Sequence, residues 1–252
     1  MSESVSNMNS PAHYARAPIT EAIIDLRVVL PESARLEDLS AIARGREDEY
    51  PHKQDRHFTL GQMQLGEQVS ASASSRHIGY LFKSADGCNI FQARLDGFTM
   101  SRLAPYDRWE RFRDEARRWW DEYYHVAKPT IATRIALRYI NRLDLPLPLA
   151  DFKDYLRTVP EVSPDLPQGL AGYFIQLRIP LVDINSMAVL SETIIEPVKP
   201  GVVSVVLDID ISRSDDLPSN HNALWEFFEE LHVRKNEVFE ACITDRTREL
   251  IK

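Results

Sequence analysis

Apolar and polar residues alternate along several segments of this chain, which is the pattern of half-buried β-strands. Four such segments lie in each half of the chain: 21–30, 58–69, 76–83 and 88–103, then 130–145, 172–182, 187–195 and 202–212. In 106–124 and 222–251, apolar residues instead recur every three or four positions, which predicts two long helices, the second kinked or broken once. Shorter helices are predicted from Leu36 onward and over 149–156. The pattern therefore predicts eight strands and four helices.

Sequence landmarks recur in the same order in the two halves. Leu30-Pro31 and Leu145-Pro146 each close an apolar strand ahead of a short helix. The motifs Trp109-Glu110-x-Phe112 and Trp225-Glu226-x-Phe228 then open the two long helices. This repetition predicts an internal duplication in which each half has the order β-α-β-β-β-α.

The duplication sets the expected domain organisation. We expect a flexible N-terminal tail over 1–17 and two halves, 18–128 and 129–252, that form one compact unit. Long antiparallel strands with helices outside or on one face make an α+β fold. The strands either form one continuous curved sheet or close into an eight-stranded barrel, which would remove the exposed edges.

Composition and charge narrow the class of protein. The chain has 252 residues, 44% of them hydrophobic and 27% charged, as in ordinary globular proteins. Its net charge of −8 disfavours a nucleic-acid partner. The N-terminus lacks the features of a signal peptide, no apolar run reaches the length of a membrane helix, and Cys88 and Cys242 lack metal-ligand spacing. We therefore expect a cytoplasmic protein without a membrane partner.

Charged residues occupy the strand faces opposite the apolar ones. One interpretation is that they are solvent-facing residues paired across a half-exposed sheet. The other is that they line a groove or barrel, where arginines hold an anionic ligand and carboxylates hold a divalent cation. The candidate ligand-binding residues are Arg27, Arg134, Arg138, Asn141 and Arg178. The candidate metal ligands, under the metal-binding interpretation only, are Asp25, Glu192, Asp208 and Asp210.

Three further features bear on function. Asn141 either anchors a ligand or satisfies backbone groups near the strand end. Trp119 and Trp120 diverge by about 100° on a helix, which predicts that one of them contacts a partner. Glycine-rich phosphate-binding motifs are missing from the sequence, so nucleotide binding by those routes is not supported.

Two resemblances add expectations of their own. The strand Glu21-x-Ile23-x-Asp25-x-Arg27 resembles the Glu-x-Glu-x-Lys strand of triphosphate tunnel metalloenzymes, with Ile23 and Arg27 departing from that pattern. This resemblance implies a divalent-metal-dependent phosphohydrolase of triphosphate-like or polyphosphate-like substrates in a charged barrel.

The second resemblance covers nearly the whole chain. It is carried by Ala17-Pro18-Ile19-Thr20-Glu21-Ala22, by Tyr106-x-x-Trp109-x-x-Phe112 and by Arg134-x-x-Leu137-Arg138-Tyr139-Ile140-Asn141-Arg142. These stretches are similar to a sporadically distributed family of bacterial proteins of about this length, for which no activity is established. Such a distribution implies a mobile or defence-associated gene cassette.

The sequence thus leads to one main hypothesis and one alternative. We expect a non-catalytic binding or interaction module without a cofactor, whose partner is a protein or a small anionic ligand. The alternative is the metal-dependent phosphohydrolase, which alone would need a divalent cation. The sequence leaves the oligomeric state open.

Overall fold

The computed structural model describes residues 14–64, 70–218 and 220–252. Within them the chain forms one nine-stranded sheet and four α-helices. The strands are β1 Ile19–Val29, β2 His52–Gln64, β3 Ser70–Lys83, β4 Asn89–Arg94, β5 Gly97–Leu103, β6 Ile131–Pro146, β7 Phe174–Leu181, β8 Ser186–Ile195 and β9 Val202–Arg213. The helices are α1 Leu36–Leu39, α2 Trp109–Ala127, α3 His221–Cys242 and α4 Asp245–Ile251.

The sheet is antiparallel at each strand pair and is open. Its strand order is β2-β3-β4-β5-β1-β6-β9-β8-β7, so β2 and β7 are the edges and the barrel alternative does not form. The two halves meet where β1 pairs with β6, from Ile19 opposite Asn141 to Val29 opposite Ile131. The α+β class with an antiparallel sheet is confirmed.

The predicted number of strands was wrong because the segment 88–103 contains a turn. The chain reverses at Leu95-Asp96, and β4 and β5 pair with each other as a hairpin. Gly97 follows this turn at a point where the backbones of β5 and β1 approach closely. A Cβ atom there would lie 2.2 Å from the backbone oxygen of Leu26, so the position requires glycine. Apolar alternation continues on both sides of the turn, so periodicity alone does not show the reversal.

The helix predicted over 149–156 is also wrong. The structure has only a 3₁₀ turn, Phe152–Asp154, whose start is capped by the Asp151 side chain accepting from the backbone nitrogen of Lys153 at 2.8 Å. Leu156 then forms a β-bridge with Ile243. Short helices are marginal by themselves, and these tertiary contacts replace the helical ones. The helix predicted from Leu36 is likewise a single turn, α1.

Helix α2 covers β4 and β5 with a broad aromatic face. Trp119 stacks on Phe91 with a centroid distance of 4.4 Å, while Trp120 stacks on Tyr123 at 5.5 Å. Both tryptophans are buried, so the prediction that one of them contacts a partner was wrong. The aromatic face of α2 is wide enough that the neighbouring residues Trp119 and Trp120 are both buried, one toward each side of that face.

Helix α3 covers β6 and β9 and is tied to α2. The Glu229 carboxylate accepts from Trp109 Nε1 at 2.8 Å and from Arg113 Nη1 at 2.6 Å. The predicted break in the last helix is confirmed, because Ile243 has an extended backbone between α3 and α4. None of the helices in the described part of the chain has the length and apolar character needed to cross a membrane.

The N-terminal tail lies outside the described residues up to residue 13. Beyond that point the chain is anchored: the Tyr14 hydroxyl donates to Glu240 at 2.6 Å, and the Arg16 backbone nitrogen donates to the Ile251 oxygen at 3.1 Å.

Candidate functional site

The candidate site lies on the sheet face opposite the helices. On β6 the buried side chains of Leu137 and Tyr139 point toward the core, so alternation places Arg134 and Arg138 on the other face. The register with β9 puts Asp210 directly opposite Arg138. The predicted charged face of β6 is therefore next to the acidic face of β9.

Asp25 of β1 is the centre of a charged cluster on this face. Its carboxylate accepts from Thr99 Oγ1 at 2.6 Å and from Arg134 Nη1 at 3.1 Å. It also accepts from Arg27 Nε at 3.2 Å and from Arg94 Nη2 at 3.3 Å. Three guanidinium groups thus share one nearly buried carboxylate.

Arg134 and Arg138 are held by the aspartates of β9. Arg134 Nη2 donates to Asp210 Oδ2 at 3.1 Å, so this guanidinium bridges Asp25 and Asp210. Arg138 binds Asp208 in a bidentate manner, with Nε–Oδ1 and Nη2–Oδ2 distances of 2.8 and 2.5 Å. A guanidinium has five N–H donors, so each arginine keeps donors that these aspartates do not use. The aspartates fix the orientation of the arginines and leave some of their N–H donors available to a ligand.

The charges in this cluster shift the pKa values of its members in different directions. Burial raises the pKa of Asp25, but the Thr99 hydrogen bond and the arginines outweigh it and hold that pKa below its usual value. For Asp210, burial and the neighbouring Asp208 outweigh the arginines, and the pKa is raised. The hydrogen bond to Asp208 raises the pKa of Arg138, although burial opposes it.

These side chains line a cavity of about 540 Å³, which we call the arginine groove. Its charged lining residues are Asp25, Arg27, Arg56, Arg94, Asp96, Arg134, Arg138 and Asp210. Five arginines thus face three aspartates, and Asp208 beside the groove neutralises one more positive charge. The groove concentrates guanidinium groups in a chain whose net charge is −8.

The second wall of the groove comes from a hairpin arm, residues 56–64 of β2 and 70–78 of β3. Strand β3 pairs with β4 only from Gly79 to Lys83, so this part of the hairpin extends beyond the rest of the sheet. Phe58 and Ile78 of the arm line the same cavity as Asp210 of β9. Since these strands are far apart in the sheet, the arm curves over the polar face and makes it concave.

Several predicted residues lie away from this groove. Asn141 is buried on the helix-facing side, where its amide donates to the Leu207 oxygen at 3.0 Å. Glu192 is also on the helix-facing side and accepts from the Tyr173 hydroxyl. Arg178 lies on the edge strand β7 and is exposed. The structure therefore brings together Arg27, Arg134 and Arg138 but not the other two ligand-binding candidates.

The four candidate metal ligands are not brought together. Asp25, Asp208 and Asp210 share the polar face, where they bind arginines, and Glu192 lies on the opposite face. Among the described residues, no group of three or more His, Cys, Asp or Glu side chains is arranged to hold a metal ion.

The groove residues that sequence reasoning missed include Arg56, Arg94, Asp96, Thr99 and Phe58. Arg94 and Asp96 flank the turn between β4 and β5, and treating 88–103 as one strand hid their position. Arg56 precedes the segment predicted as a strand, although β2 begins at His52. The sequence Arg94-Leu95-Asp96-Gly97 was the signal that could have revealed the turn. An aspartate followed by glycine is typical of a hairpin turn.

A larger cavity of about 870 Å³ lies elsewhere, beneath the loop 159–171. Its lining is mixed, with Leu149, Phe152 and Ile194 beside a few charged residues. One of those, Lys153, is paired with Glu161 at 3.3 Å. Charged groups do not converge there as they do in the arginine groove, and we therefore place the candidate site in the groove.

Comparison with protein-family models, with curated proteins and with solved structures finds no match to this chain.

Proposed function

We propose that this protein is a binding module whose arginine groove takes an anionic ligand or an anionic group of a partner. The observation that carries this proposal is the convergence of five guanidinium groups on one concave cavity. Arginine is suited to this role because its planar, permanently charged group binds phosphate and carboxylate oxygens in a bidentate manner.

The aspartates of the groove support the proposal because they position the arginines before a ligand arrives. Arg134 is held from both sides by Asp25 and Asp210, and Arg138 is held by Asp208. A side chain that is already oriented loses little conformational entropy on binding, which favours affinity. Arg56 adds a cation from the hairpin arm, where no acidic side chain of the described residues forms an ion pair with it.

Isothermal titration calorimetry with inorganic phosphate, pyrophosphate, triphosphate and citrate tests this proposal. We expect at least one of these anions to bind, and Arg138→Gln to weaken that binding about tenfold, as for the loss of one charge-assisted hydrogen bond. Arg111→Gln is the matched control, since Arg111 is an exposed residue of α2 on the other side of the sheet. The absence of binding at millimolar concentrations, or equal affinity in both variants, would overturn the proposal.

The phosphohydrolase is a second candidate on one observation only: Asp25 and Asp210 line the same cavity as the arginines, although the described carboxylates form no group arranged to hold a metal ion. Carboxylates beside guanidinium groups are the residue types that a metal-assisted phosphoryl transfer uses. Release of phosphate from triphosphate in the presence of Mg²⁺ or Mn²⁺ tests this candidate. If Asp210→Asn releases phosphate as fast as the unaltered protein, the hydrolase candidate fails.

We also propose that the two halves arose by duplication. After β1 the sheet continues with β5, β4 and β3, and after β6 it continues with β9, β8 and β7. The first half carries β2 as an additional edge strand. A superposition of these four-strand sets that fails to place Trp109 of α2 near Trp225 of α3 would contradict the proposal.

The bacterial origin and the mobile or defence-associated gene cassette implied by the sequence resemblance stay predictions. The genes that neighbour this one test them directly.

A further inference from the structure

The hairpin arm places an aromatic ring in the arginine groove. Phe58 is 55% exposed and lines the cavity. Burying a phenylalanine side chain stabilises a protein by roughly 1.5–3 kcal/mol, and Phe58, at 55% exposure, forgoes about half of that gain. An exposed ring inside a polar cavity is a surface on which a flat group can pack.

Guanidinium groups flank this ring on the arm itself. Arg76 is the cross-strand partner of Phe58, and directly opposed residues of an antiparallel pair point to the same face. Arg56 lies two residues before Phe58 and lines the same cavity. The arm therefore presents an aromatic ring in the same cavity as Arg56, with Arg76 across the strand pair and outside the cavity lining.

The opposite wall of the groove carries the guanidinium groups of Arg134 and Arg138, with Ala136 between them on β6 and Ile23 opposite Arg138 on β1. A ligand that fits both walls needs an anionic group for the arginines of β6 and a planar, polarisable group for Phe58. The cavity of about 540 Å³ lies in the size range of small-molecule sites, roughly 300–1,000 Å³. This volume suits one small ligand better than a peptide or a polynucleotide.

We propose that the ligand of the arginine groove is a free nucleoside phosphate, with its phosphates on Arg134 and Arg138 and its base against Phe58. This assignment rests on the proposed anion-binding function and deepens it. Base–aromatic stacking accepts any of the four bases, because every base has a π-face. Recognition here uses side chains of a sheet and a hairpin rather than a glycine-rich loop.

The experiment compares nucleoside triphosphates with inorganic triphosphate, which has the same chain of three phosphates without the sugar and the base. Calorimetry on the full chain measures both ligands for the unaltered protein and for Phe58→Ala and Leu60→Ala. Leu60 is the matched control, because it is an exposed apolar residue of the same arm, two positions further along β2. We expect Phe58→Ala to weaken binding of the nucleotide about tenfold, the loss expected for one stacked base. We expect no change for inorganic triphosphate or for Leu60→Ala.

The possible results separate the two proposals. Equal affinities for nucleotide and inorganic triphosphate, or equal losses for both ligands in Phe58→Ala, would overturn the nucleotide assignment and leave anion binding standing. Failure of both ligands to bind would overturn the nucleotide assignment together with the anion proposal as applied to phosphates. A single-stranded oligonucleotide that binds more tightly than its mononucleotide would overturn the assignment to a free nucleotide.

Discussion

The ammonium group of Lys235 lies 3.9 Å from the centre of the Tyr139 ring, between α3 and the sheet. Lys235 is only 7% exposed, and its nitrogen donates to Asn236 Oδ1 at 2.5 Å. The Tyr139 hydroxyl in turn is 2.8 Å from that of Tyr106. Burial lowers the pKa of Lys235 to about 7, although Glu240 opposes this change. Near neutral pH this buried amine therefore changes its charge inside the fold.

Replacing Lys235 by methionine should stabilise the protein in a pH-dependent manner. The unfolded chain binds a proton at this site up to about pH 10.5 and the folded chain only up to about pH 7, so stability rises with pH between those values. Lys235→Met removes that dependence. We expect a gain of about 1–2 kcal/mol in the free energy of unfolding at pH 6, as when a buried charge is replaced by an apolar group, and a smaller gain at pH 10.

Urea unfolding at the two pH values measures this difference. Lys153→Met, at an exposed lysine, is the control and should change little at either pH. A gain of equal size at pH 6 and pH 10 would show that the charge of Lys235 is not responsible.

Glu192 should show the opposite pH dependence. Burial raises its pKa to about 7 despite the hydrogen bond from Tyr173, and its Oε2 atom is buried without a partner among the described residues. The folded protein binds this proton up to about pH 7 and the unfolded chain only up to about 4.5, so the stability from this site falls between pH 4.5 and 7. The Glu192→Gln variant has no titrating carboxyl at this position, so its stability does not fall in this way between pH 4.5 and 7. Relative to the unaltered protein, the variant should therefore gain stability from pH 5 to pH 8 in urea titrations.

Glu161→Gln is the control for this measurement, because Glu161 is highly exposed. A constant difference between Glu192→Gln and the unaltered protein from pH 5 to pH 8 would contradict the prediction.

Asp25→Asn should destabilise the fold. The substitution removes the carboxylate that Arg94 shares with Arg27 and Arg134, and the nearly buried Arg94 keeps only its ion pair with Asp96 among the described residues. Removing one partner of a buried ion pair costs several kcal/mol, and we expect about 2–3 kcal/mol here because part of the cluster faces solvent. Asp25 has a lowered pKa, so its contribution is present above the usual carboxylate range and is lost as the pH falls.

Thermal or urea unfolding at pH 7 and pH 3 measures this effect. The cost of Asp25→Asn should shrink at pH 3, whereas Asp165→Asn in an exposed loop should be neutral at both. A cost below about 0.5 kcal/mol at pH 7, the range of ordinary surface substitutions, would mean that the cluster does not stabilise the sheet.

The two cysteines should differ in reactivity. Burial, together with the nearby Glu192, raises the pKa of the Cys242 thiol to about 12, whereas Cys88 is partly accessible. The thiolate is the reactive form, so Cys242 should be inert in the folded protein. Titration with a chromogenic disulfide reagent should label one thiol per chain before unfolding and the second only in denaturant. Cys88→Ser should remove the early reaction, and fast labelling of both thiols would contradict the structure.

The faces of strands such as β6 and β9 were predictable because one side of each packs against the helices and the other does not. Val205, Leu207 and Ile209 are buried as their alternation predicts, and Asp208 and Asp210 share the other face. The same parity separates Asn141 from Arg138 and puts Glu192 in line with the buried Leu190. Asn141 was predicted to share a site with Arg138, and Glu192 to share one with Asp208, although the members of each pair lie on opposite faces of the sheet.

The composition of the groove was not predictable. It depends on which strands are neighbours, on the turn before Gly97 and on the curvature of the hairpin arm. These follow from long-range packing, which a periodic pattern does not encode. Arg56 and Phe58 reach the groove only because the arm extends past β4.

The pairing of β1 with β6 has a consequence for how copies of this chain can associate. Each half alone would expose one full-length strand edge, from Ile19 to Val29 or along β6. An edge of that length accepts the matching strand from any chain that offers it. If two molecules opened at the connection between α2 and β6, each β1 would pair with the β6 of the other chain, and both sheets would re-form with the same strand pairing. Reciprocal exchange of this kind would preserve the arginine groove while making its two sides belong to different chains.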